Sequence, residues 1–318
     1  MNHARTRRIA ASFEDLVGGT PLFRLQLDGL PETAQVLAKL EAANPLSSVK
    51  DRAALFMMRA AEESGALQPG ATVIESTSGN TGIALAALAA ARGYRCLIVL
   101  PSNASRERVL TLRMLGAEVE FTDHTLGFPA CVERAEQLHA GMPGSWYARQ
   151  HQNPDNVRAH YETTGPEIWY DTDGRVDYLV CGIGTGGTLS GTARYLRERN
   201  PDLKVVAVEP AGSALLSGGQ PGPHAIPGLI GGFLAPVTDI HLIDEVITVQ
   251  DADAAATTRA IAARSGLLVG ISAGAAAYGC LELARRHDLS DAVVATVFPD
   301  SGERYLSWWP QEDTAGRG

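Results

Sequence analysis

Residues 72–100 read TVIESTSGNTGIALAALAAARGYRCLIVL and carry the alternation that decides the fold. Thr72–Glu75 has the β-branched character of a strand, and Arg95–Leu100 is a second short apolar run. Between them, Asn80–Arg92 is rich in alanine and leucine, as helices are, and a glycine loop precedes it. A strand, a helix and a second strand in this order predict a crossover unit in a parallel sheet.

The same alternation recurs on both sides of this stretch. We predict further helices over Ala53–Glu63, Ser105–Leu115, Pro129–Ala140, Thr188–Arg199, Ala252–Ser265 and Ala273–Arg286. We predict further strands over Gln35–Glu41, Ala117–Phe121, Asp177–Cys181, Lys204–Glu209, Glu245–Val249 and Ala292–Phe298. Two such series predict an α/β fold with two three-layer domains, mostly parallel twisted sheets and a ligand cleft between the domains. The Gly/Pro-rich stretch Ser217–Gly232 predicts an irregular, functional loop.

Composition and charge exclude several classes of protein. The chain has 318 residues and a formal net charge of −9, which argues against a nucleic-acid partner held by phosphate neutralisation. The longest apolar run, Ile83–Ala91, is far shorter than the ~20 residues of a membrane helix. No secretory signal is recognisable, so we expect a cytoplasmic protein without a membrane partner. The four cysteines are widely separated, which argues against a zinc site or a disulfide framework: Cys96, Cys131, Cys181 and Cys280.

The first glycine loop, Thr77–Gly82, reads TSGNTG and lies between a predicted strand and a predicted helix. Backbone N–H groups at a helix N-terminus favour an anion such as a carboxylate or a phosphate, and the loop adds small hydroxyls. An ordinary strand-to-helix turn with a capping residue accounts for the same pattern. Both interpretations stay open on these residues alone.

The second glycine loop, Gly182–Thr188, reads GIGTGGT and also joins a strand to a helix. It satisfies the GxGxxG pattern of dinucleotide-binding folds, and Glu209 ends the next strand where a ribose-binding acidic residue would stand. A nicotinamide-dependent oxidoreductase is therefore one interpretation. The alternative is a cradle for a single phosphate, with hydroxyl donors from Thr185 and Thr188. A tight turn with only a packing role is the third.

The chain contains only three lysines, so chemistry that requires an amine has few candidates. Lys50 lies in Asn44–Arg52 (NPLSSVKDR), directly before a predicted helix. A helix N-terminus and the neighbouring Arg52 would favour the neutral, nucleophilic amine. Lys39 and Lys204 have no motif around them, and we expect both to be solvated surface residues.

Six segments together resemble the cysteine synthase family, the O-acetylserine sulfhydrylase branch of fold type II pyridoxal-phosphate enzymes. They follow the family's order and extend over about residues 12–309. The segments are Asn44–Arg52, Thr77–Gly82, Thr163–Trp169 (TTGPEIW), Gly184–Thr188 (GTGGT), Gly270–Ala276 (GISAGAA) and Ser301–Ser307 (SGERYLS).

The resemblance assigns roles residue by residue. Lys50 would form the Schiff base with pyridoxal 5'-phosphate and later act as the proton-transfer base. Asn80 would bind the ring hydroxyl, and Ser272 the pyridine nitrogen. The cofactor phosphate would be bound by Gly184, Thr185, Gly186, Gly187 and Thr188. The substrate carboxylate would be bound by Thr77, Ser78, Thr81 and Gln150.

The resemblance implies β-replacement on O-acetyl-L-serine through an aminoacrylate, with sulfide as the nucleophile and L-cysteine as the product. A serine such as Ser272 cannot hold the ring nitrogen protonated as an aspartate would, which favours loss of a β-substituent. Alternatives are a synthase of other β-substituted alanines (O-ureidoserine or cyanoalanine type), an O-phosphoserine sulfhydrylase and a serine/threonine dehydratase. A non-catalytic relative that binds a partner protein is a further alternative.

Several positions depart from the family pattern. The stretch 210–236 has no arginine or lysine, which favours a neutral leaving group such as acetate. Leu46, Ala104 and Ile230 stand where small residues, methionine and glycine, respectively, are usual. They indicate either neutral changes in packing or a pocket reshaped for another nucleophile.

The resemblance also sets the domain boundaries and the partners. We expect a smaller domain over residues 44–155, with the lysine helix and the carboxylate loop. A larger domain, with the phosphate loop, would comprise residues 1–43 and 156–318. The expected partners are small-molecule substrates, a second copy of the chain in a homodimer and the C-terminal peptide of an acyltransferase.

Overall fold

The computed structural model describes residues 9–77, 79–230 and 232–309, and for Trp308 it describes the backbone alone. The described chain divides into two compact units. The first contains residues 9–19, 44–46 and 50–150, and the second contains residues 20–43, 47–49 and 151–309. The two domains expected from the sequence, residues 44–155 and residues 1–43 with 156–318, were defined by the ligands that they would bind. They stay a prediction.

The strands and helices of the described residues are numbered in chain order. The strands are β1 (Leu22–Arg24), β2 (Gln35–Leu40), β3 (Thr72–Ser76), β4 (Arg95–Pro101), β5 (Glu118–Thr122), β6 (Trp146–Tyr147), β7 (Tyr178–Gly182), β8 (Lys204–Pro210), β9 (Glu245–Val249) and β10 (Val293–Phe298). The α-helices are α1 (Lys50–Glu63), α2 (Asn80–Arg92), α3 (Arg106–Met114), α4 (Gly127–Ala140), α5 (Pro154–Ala159), α6 (Gly165–Asp171), α7 (Gly187–Arg197), α8 (Asp251–Ser265) and α9 (Ile271–Arg286).

The first unit is built on a parallel sheet with the strand order β5-β4-β3-β6. Its central strands are buried on both faces, which explains why their sequences are continuous apolar runs. Along β4, Ile98 packs in a cluster with residues of α2 and α3, whereas Leu97 and Val99 pack with residues of α4. The sheet is therefore the middle layer of three.

The second unit is built on a sheet with the strand order β1-β2-β10-β7-β8-β9. Only the short β1 is antiparallel to its neighbour within this sheet, and the other pairs are parallel. Val180 of β7 packs with α9, whereas Leu179 and Cys181 pack with α6 and α7 on the opposite face. The predicted α/β fold with mostly parallel sheets is confirmed.

Further features of the described residues concern the cysteines, helix length, metal-binding groups and the irregular loop. All four cysteines are unpaired thiols and buried. No helix in the described part of the chain has the length and apolarity to cross a membrane. No group of His, Cys, Asp and Glu side chains suited to a metal ion occurs among residues 9–77, 79–230 and 232–309. Between residues 214 and 230 the chain forms neither helix nor strand, as predicted for this loop.

Lys39 is buried, so the prediction that it is solvated was wrong. Its ammonium group lies 2.9 Å from a carboxylate oxygen of Glu167 and also donates to the carbonyl of Thr20. β2 lies between β1 and β10, and Glu167 belongs to α6, a helix that the sequence analysis did not predict. Lys204, by contrast, is exposed, as expected.

Replacement of Lys39 by methionine should lower the free energy of unfolding by about 3 kcal/mol, because Glu167 loses the cation that compensates its charge. The replacement of Lys204 by methionine is the control and should change stability by less than about 0.5 kcal/mol. Urea denaturation measures both values. Equal stability of the two variants would contradict this role of Lys39.

Candidate active site

The carboxylate loop predicted from the sequence follows β3 and leads into α2. The Thr77 amide donates to the carbonyl of Val99 (3.0 Å), which fixes the start of the loop on the neighbouring strand. The Thr77 hydroxyl accepts a hydrogen bond from the Gly79 amide (3.1 Å), so its own proton is directed to another acceptor. Asn80 is the first residue of α2. Ser78 lies outside the described residues.

Gln150 contacts this loop through Thr81. The Thr81 hydroxyl donates to Oε1 of Gln150 at 2.6 Å, and both side chains are buried. Because the amide oxygen faces Thr81, the Nε2 NH2 group is the donor end of the Gln150 side chain. The first unit thus combines a helix N-terminus with hydroxyl and amide donors, a set that suits a carboxylate.

Lys50 is the first residue of α1 and is half-buried. The carboxylate of Asp51 accepts a hydrogen bond from the Leu46 amide (2.7 Å), which holds the segment before the helix against its first turn. Ser47 adopts a left-handed backbone conformation with φ of 53°, which is uncommon for a residue with a side chain. The local structure therefore fixes the position of the lysine at the helix N-terminus.

The second glycine loop follows β7 and leads into α7. Gly186 has φ of 77°, in the left-handed region. A Cβ atom on Gly184 would lie 2.2 Å from the carbonyl oxygen of Gly228, and one on Gly187 would lie 2.3 Å from Oδ1 of Asn156. The glycines are therefore required for close packing of this loop against the rest of the second unit.

Two residues that the sequence analysis missed contact the threonines of this loop. The side-chain NH2 group of Asn156 donates to the Thr185 hydroxyl (3.0 Å), and Nε2 of His160 lies 3.2 Å from the Thr188 hydroxyl. His160 begins a π-helical turn, His160–Thr164, which joins α5 to α6. Such turns recur at functional sites, but no sequence pattern used above marks them.

Ser272 is the second residue of α9 and is buried in the second unit. A Cβ atom on Gly270, the residue before this helix, would lie 1.9 Å from Oδ1 of Asp300. The glycine therefore lets the start of α9 approach the segment after β10. The serine hydroxyl is thereby placed in the first turn of the helix.

Glu209 does not have the geometry of a ribose-binding residue. Its carboxylate accepts hydrogen bonds from the amides of Leu216 (2.7 Å) and Ser217 (2.9 Å) and from the Ser217 hydroxyl (2.6 Å). Both carboxylate oxygens are used to fix the start of the irregular loop, and the side chain is fully buried. Glu209 is therefore not available to bind a ribose, which argues against a nicotinamide-dependent oxidoreductase.

The three departures from the family pattern pack in apolar clusters. Leu46 and Ala104 pack against the same cluster in the first unit, around Ile98. Ile230 is buried in a cluster of the second unit, and its amide donates to the carbonyl of Ile183 (2.8 Å). These contacts favour a change in packing over a reshaped pocket.

Glu75 is a buried carboxylic acid beneath the carboxylate loop, and no sequence signal was assigned to it. Burial raises the pKa of Glu75 to about 8, although the amides of Gln150 and Ser76 and the charge of Arg149 act in the opposite direction. The side chain is fully buried in β3, a strand whose other residues are those of an ordinary core strand. A group perturbed in this way and adjacent to a candidate site suggests a functional role.

The raised pKa of Glu75 predicts a pH-dependent stability. The folded protein retains a proton that the unfolded chain releases near pH 4.5, so the free energy of unfolding should fall as the pH rises towards about 8. The Glu75→Gln variant cannot titrate at this position and should show a flatter profile between these pH values. Urea denaturation across this range provides the test, and parallel profiles for both proteins would exclude the predicted contribution.

Known proteins resemble this chain over most of its length. A family model described as "Pyridoxal-phosphate dependent enzyme" matches residues 13–300. A protein of Bacillus subtilis described as a probable cysteine synthase is 45% identical over 303 residues, which cover 94% of this chain and 97% of that protein.

Solved structures are similar in fold as well as in sequence. The crystal structure of cysteine synthase from Entamoeba histolytica has a TM-score of 0.93 and 38% identity, and the match covers 99% of this chain and 95% of that one. The crystal structure of an O-ureido-L-serine synthase has a TM-score of 0.91 and 40% identity, covering 97% and 99%. The chain belongs to the family of pyridoxal-phosphate dependent enzymes.

Proposed function

We propose that this protein catalyses β-replacement on O-acetyl-L-serine, with sulfide as the nucleophile and L-cysteine as the product. One observation carries the proposal: four of the described residues proposed to bind through a side chain lie in the first turn of a helix. These residues are Lys50, Asn80, Thr188 and Ser272. Thr81 lies in the same turn as Asn80 and donates its hydroxyl proton to Gln150, so it would act by holding that side chain. Helix N-termini favour anionic ligands, which here are a phosphate and a carboxylate.

The second glycine loop suits the cofactor phosphate by its chemistry. The N-terminus of α7 supplies backbone N–H groups that the helix itself does not use. Because the Thr185 hydroxyl accepts from Asn156, its single proton is directed to another acceptor, such as a phosphate oxygen. We therefore assign phosphate binding to this loop, with Gly184, Gly186 and Gly187 allowing the close approach and Thr188 providing the second hydroxyl.

Lys50 would hold the cofactor aldehyde through its amine, and the same amine would take the proton from the substrate's α carbon. The α1 N-terminus disfavours a positive charge at this position, which favours the neutral amine that both tasks require. When bound, pyridoxal phosphate supplies an electron sink for the negative charge that develops at the α carbon.

The substrate carboxylate is bound by the first glycine loop. The Thr77 hydroxyl accepts from the Gly79 amide, so its proton is available to the substrate carboxylate. The side-chain oxygen of Gln150 accepts from Thr81, so its NH2 group is the end that donates to the carboxylate. Ser78 belongs to the same proposed set. These donors orient the amino acid so that its α proton faces the lysine amine.

Ser272 would hold the pyridine nitrogen of the cofactor. Because a serine hydroxyl carries no formal charge, this contact would favour loss of the β substituent over protonation of the α carbon. Asn80 binds the ring hydroxyl. The stretch 210–236 contains no arginine or lysine, which favours acetate over phosphate as the leaving group.

A synthase of another β-substituted alanine is the second candidate. The similarity to the O-ureido-L-serine synthase structure supports it. The packing of Leu46, Ala104 and Ile230 in apolar clusters supports the sulfide reaction instead. O-phosphoserine sulfhydrylase and dehydratase activities have no such structural support.

The homodimer, the acyltransferase C-terminal peptide and the cytoplasmic location are further parts of the proposal, supported by the resemblance alone.

The protein loaded with pyridoxal phosphate should release L-cysteine from O-acetyl-L-serine and sulfide. The Lys50→Ala variant should lose at least about 1,000-fold in kcat, because it lacks both the amine and the base. The exposed Lys204→Ala variant is the matched control and should retain full activity. Normal turnover by Lys50→Ala would exclude the assignment of Lys50.

The nucleophile is tested with the same substrate and the same wild-type protein. Sulfide, hydroxyurea and cyanide are compared as acceptors at equal concentration, and the products are separated by chromatography. Sulfide should give the highest kcat/KM. A higher value for hydroxyurea or cyanide would replace the sulfide proposal with the second candidate.

Loss of the Thr185 hydroxyl should weaken cofactor binding. The Thr185→Val variant should raise the dissociation constant for pyridoxal phosphate by about 10- to 100-fold, the effect of losing one hydrogen bond to a charged group. The Thr185→Ser variant retains the hydroxyl and should bind almost as the wild type does. Titration of the cofactor-free protein by absorption or fluorescence measures both. Equal affinities for Val and Ser would contradict this role of the hydroxyl.

A further inference from the structure

We propose that Glu75 is a positioning residue for the substrate carboxylate: its carboxyl group ties together the two backbone segments that bind this carboxylate. The inference rests on the proposed function and deepens it, because it adds a residue to the same site. Glu75 is assigned no contact with substrate or cofactor. It acts through Gln150 and through the start of the first glycine loop.

The two oxygens of Glu75 accept from two different segments. Oε1 accepts from the Ser76 amide (3.0 Å), directly before Thr77, and Oε2 accepts from the Gln150 amide (3.2 Å). Gln150 in turn contacts Thr81 through its side chain (2.6 Å). The chain from Glu75 to Thr81 and the hydrogen bonds of Gln150 to both of these residues therefore form a closed loop of contacts. Thr77 and Gln150, the proposed carboxylate donors, belong to it.

The segment that carries Gln150 requires such an anchor. Arg149 adopts φ of 49°, a left-handed conformation that a residue with a side chain adopts only when its surroundings impose it. Its guanidinium group binds the Glu136 carboxylate through Nε (3.0 Å) and one terminal nitrogen (2.6 Å) and lies 4.7 Å from the centre of the Tyr147 ring. Glu136 thus holds the turn on its outer side, and Glu75 holds it on the buried side.

Core packing alone does not explain an acid at this position. Glu75 is fully buried in β3, and burial of a carboxyl group costs free energy that valine or isoleucine would not cost. An apolar residue would, however, remove the acceptor of two buried amides, those of Ser76 and Gln150. The acid is thus explained by the two segments that it holds.

The Glu75→Gln variant separates positioning from stability. Both oxygens of a carboxyl group accept hydrogen bonds even when the group is protonated, whereas the NH2 group of glutamine accepts none, so one of the two backbone amides loses its acceptor. We expect the KM for O-acetyl-L-serine to rise by about 10-fold, with kcat and the affinity for pyridoxal phosphate changed by less than about 2-fold. Glu118→Gln, an exposed acid on β5 of the same sheet, is the matched control and should leave KM unchanged.

A double-mutant cycle with Gln150→Ala tests the route of the effect. Alanine keeps the backbone amide that Glu75 binds but removes the side chain that this amide positions. In the Gln150→Ala background, Glu75→Gln should raise KM by less than about 2-fold, because the donor to be positioned is already absent. Additive effects on KM would overturn the proposal, and so would a fall in kcat and cofactor affinity equal to the rise in KM.

Hydrogen–deuterium exchange provides a measurement that does not depend on turnover. In the cofactor-loaded protein without substrate, Glu75→Gln should accelerate amide exchange in the peptides that contain residues 76 or 149–150, and Glu118→Gln should not. Unchanged exchange would overturn the proposal even if KM rises.

If wild-type protein shows no β-replacement, the proposed function fails, and the exchange result still decides whether Glu75 ties the two segments. If Glu75→Gln does not fold, Glu75→Asp, which is too short to reach both amides, is measured with the same criteria.

Discussion

The proposed chemistry depends on helix N-termini, two of which directly follow short loops at the ends of parallel strands. A parallel strand followed by a helix places free backbone N–H groups at the carboxyl edge of the sheet, where they attract anions. Asn80 and Thr81 begin α2 after β3, and Gly187 begins α7 after β7. Ser272 lies in the first turn of α9, which follows α8. In the proposed function these helix N-termini provide the anion sites, and the side chains decide which anion is bound.

These donors are themselves held by a second layer of polar residues. Asn156 and His160 contact the threonine hydroxyls of the second glycine loop, and Glu75 accepts from the backbone amides of Ser76 and Gln150. Each of these side chains is buried, so each must form hydrogen bonds that offset the loss of solvent. Precise placement of hydroxyl and amide donors follows from this layer, since exposed loops alone would not fix their directions.

The sequence predicted the parallel sheets well because buried strands and Ala/Leu-rich helices have distinct local patterns. It missed α5 and α6, since the π turn at His160–Thr164 interrupts their periodicity. The burial of Lys39 escaped prediction for the same reason, because its partner Glu167 lies on α6. The motifs indicated the candidate site, whereas Glu75 could not be found, because its proposed role depends on a hydrogen bond to Gln150, 75 positions away along the chain.

The central claim is that Lys50, and neither of the other lysines, carries the cofactor. Borohydride reduction of the protein loaded with pyridoxal phosphate makes the bond between cofactor and amine permanent, and proteolysis with mass spectrometry then locates it. The three lysines are Lys39, Lys50 and Lys204. We predict a pyridoxyl group on Lys50 alone. A modification on Lys39 or Lys204, with Lys50 unmodified, would contradict the assignment.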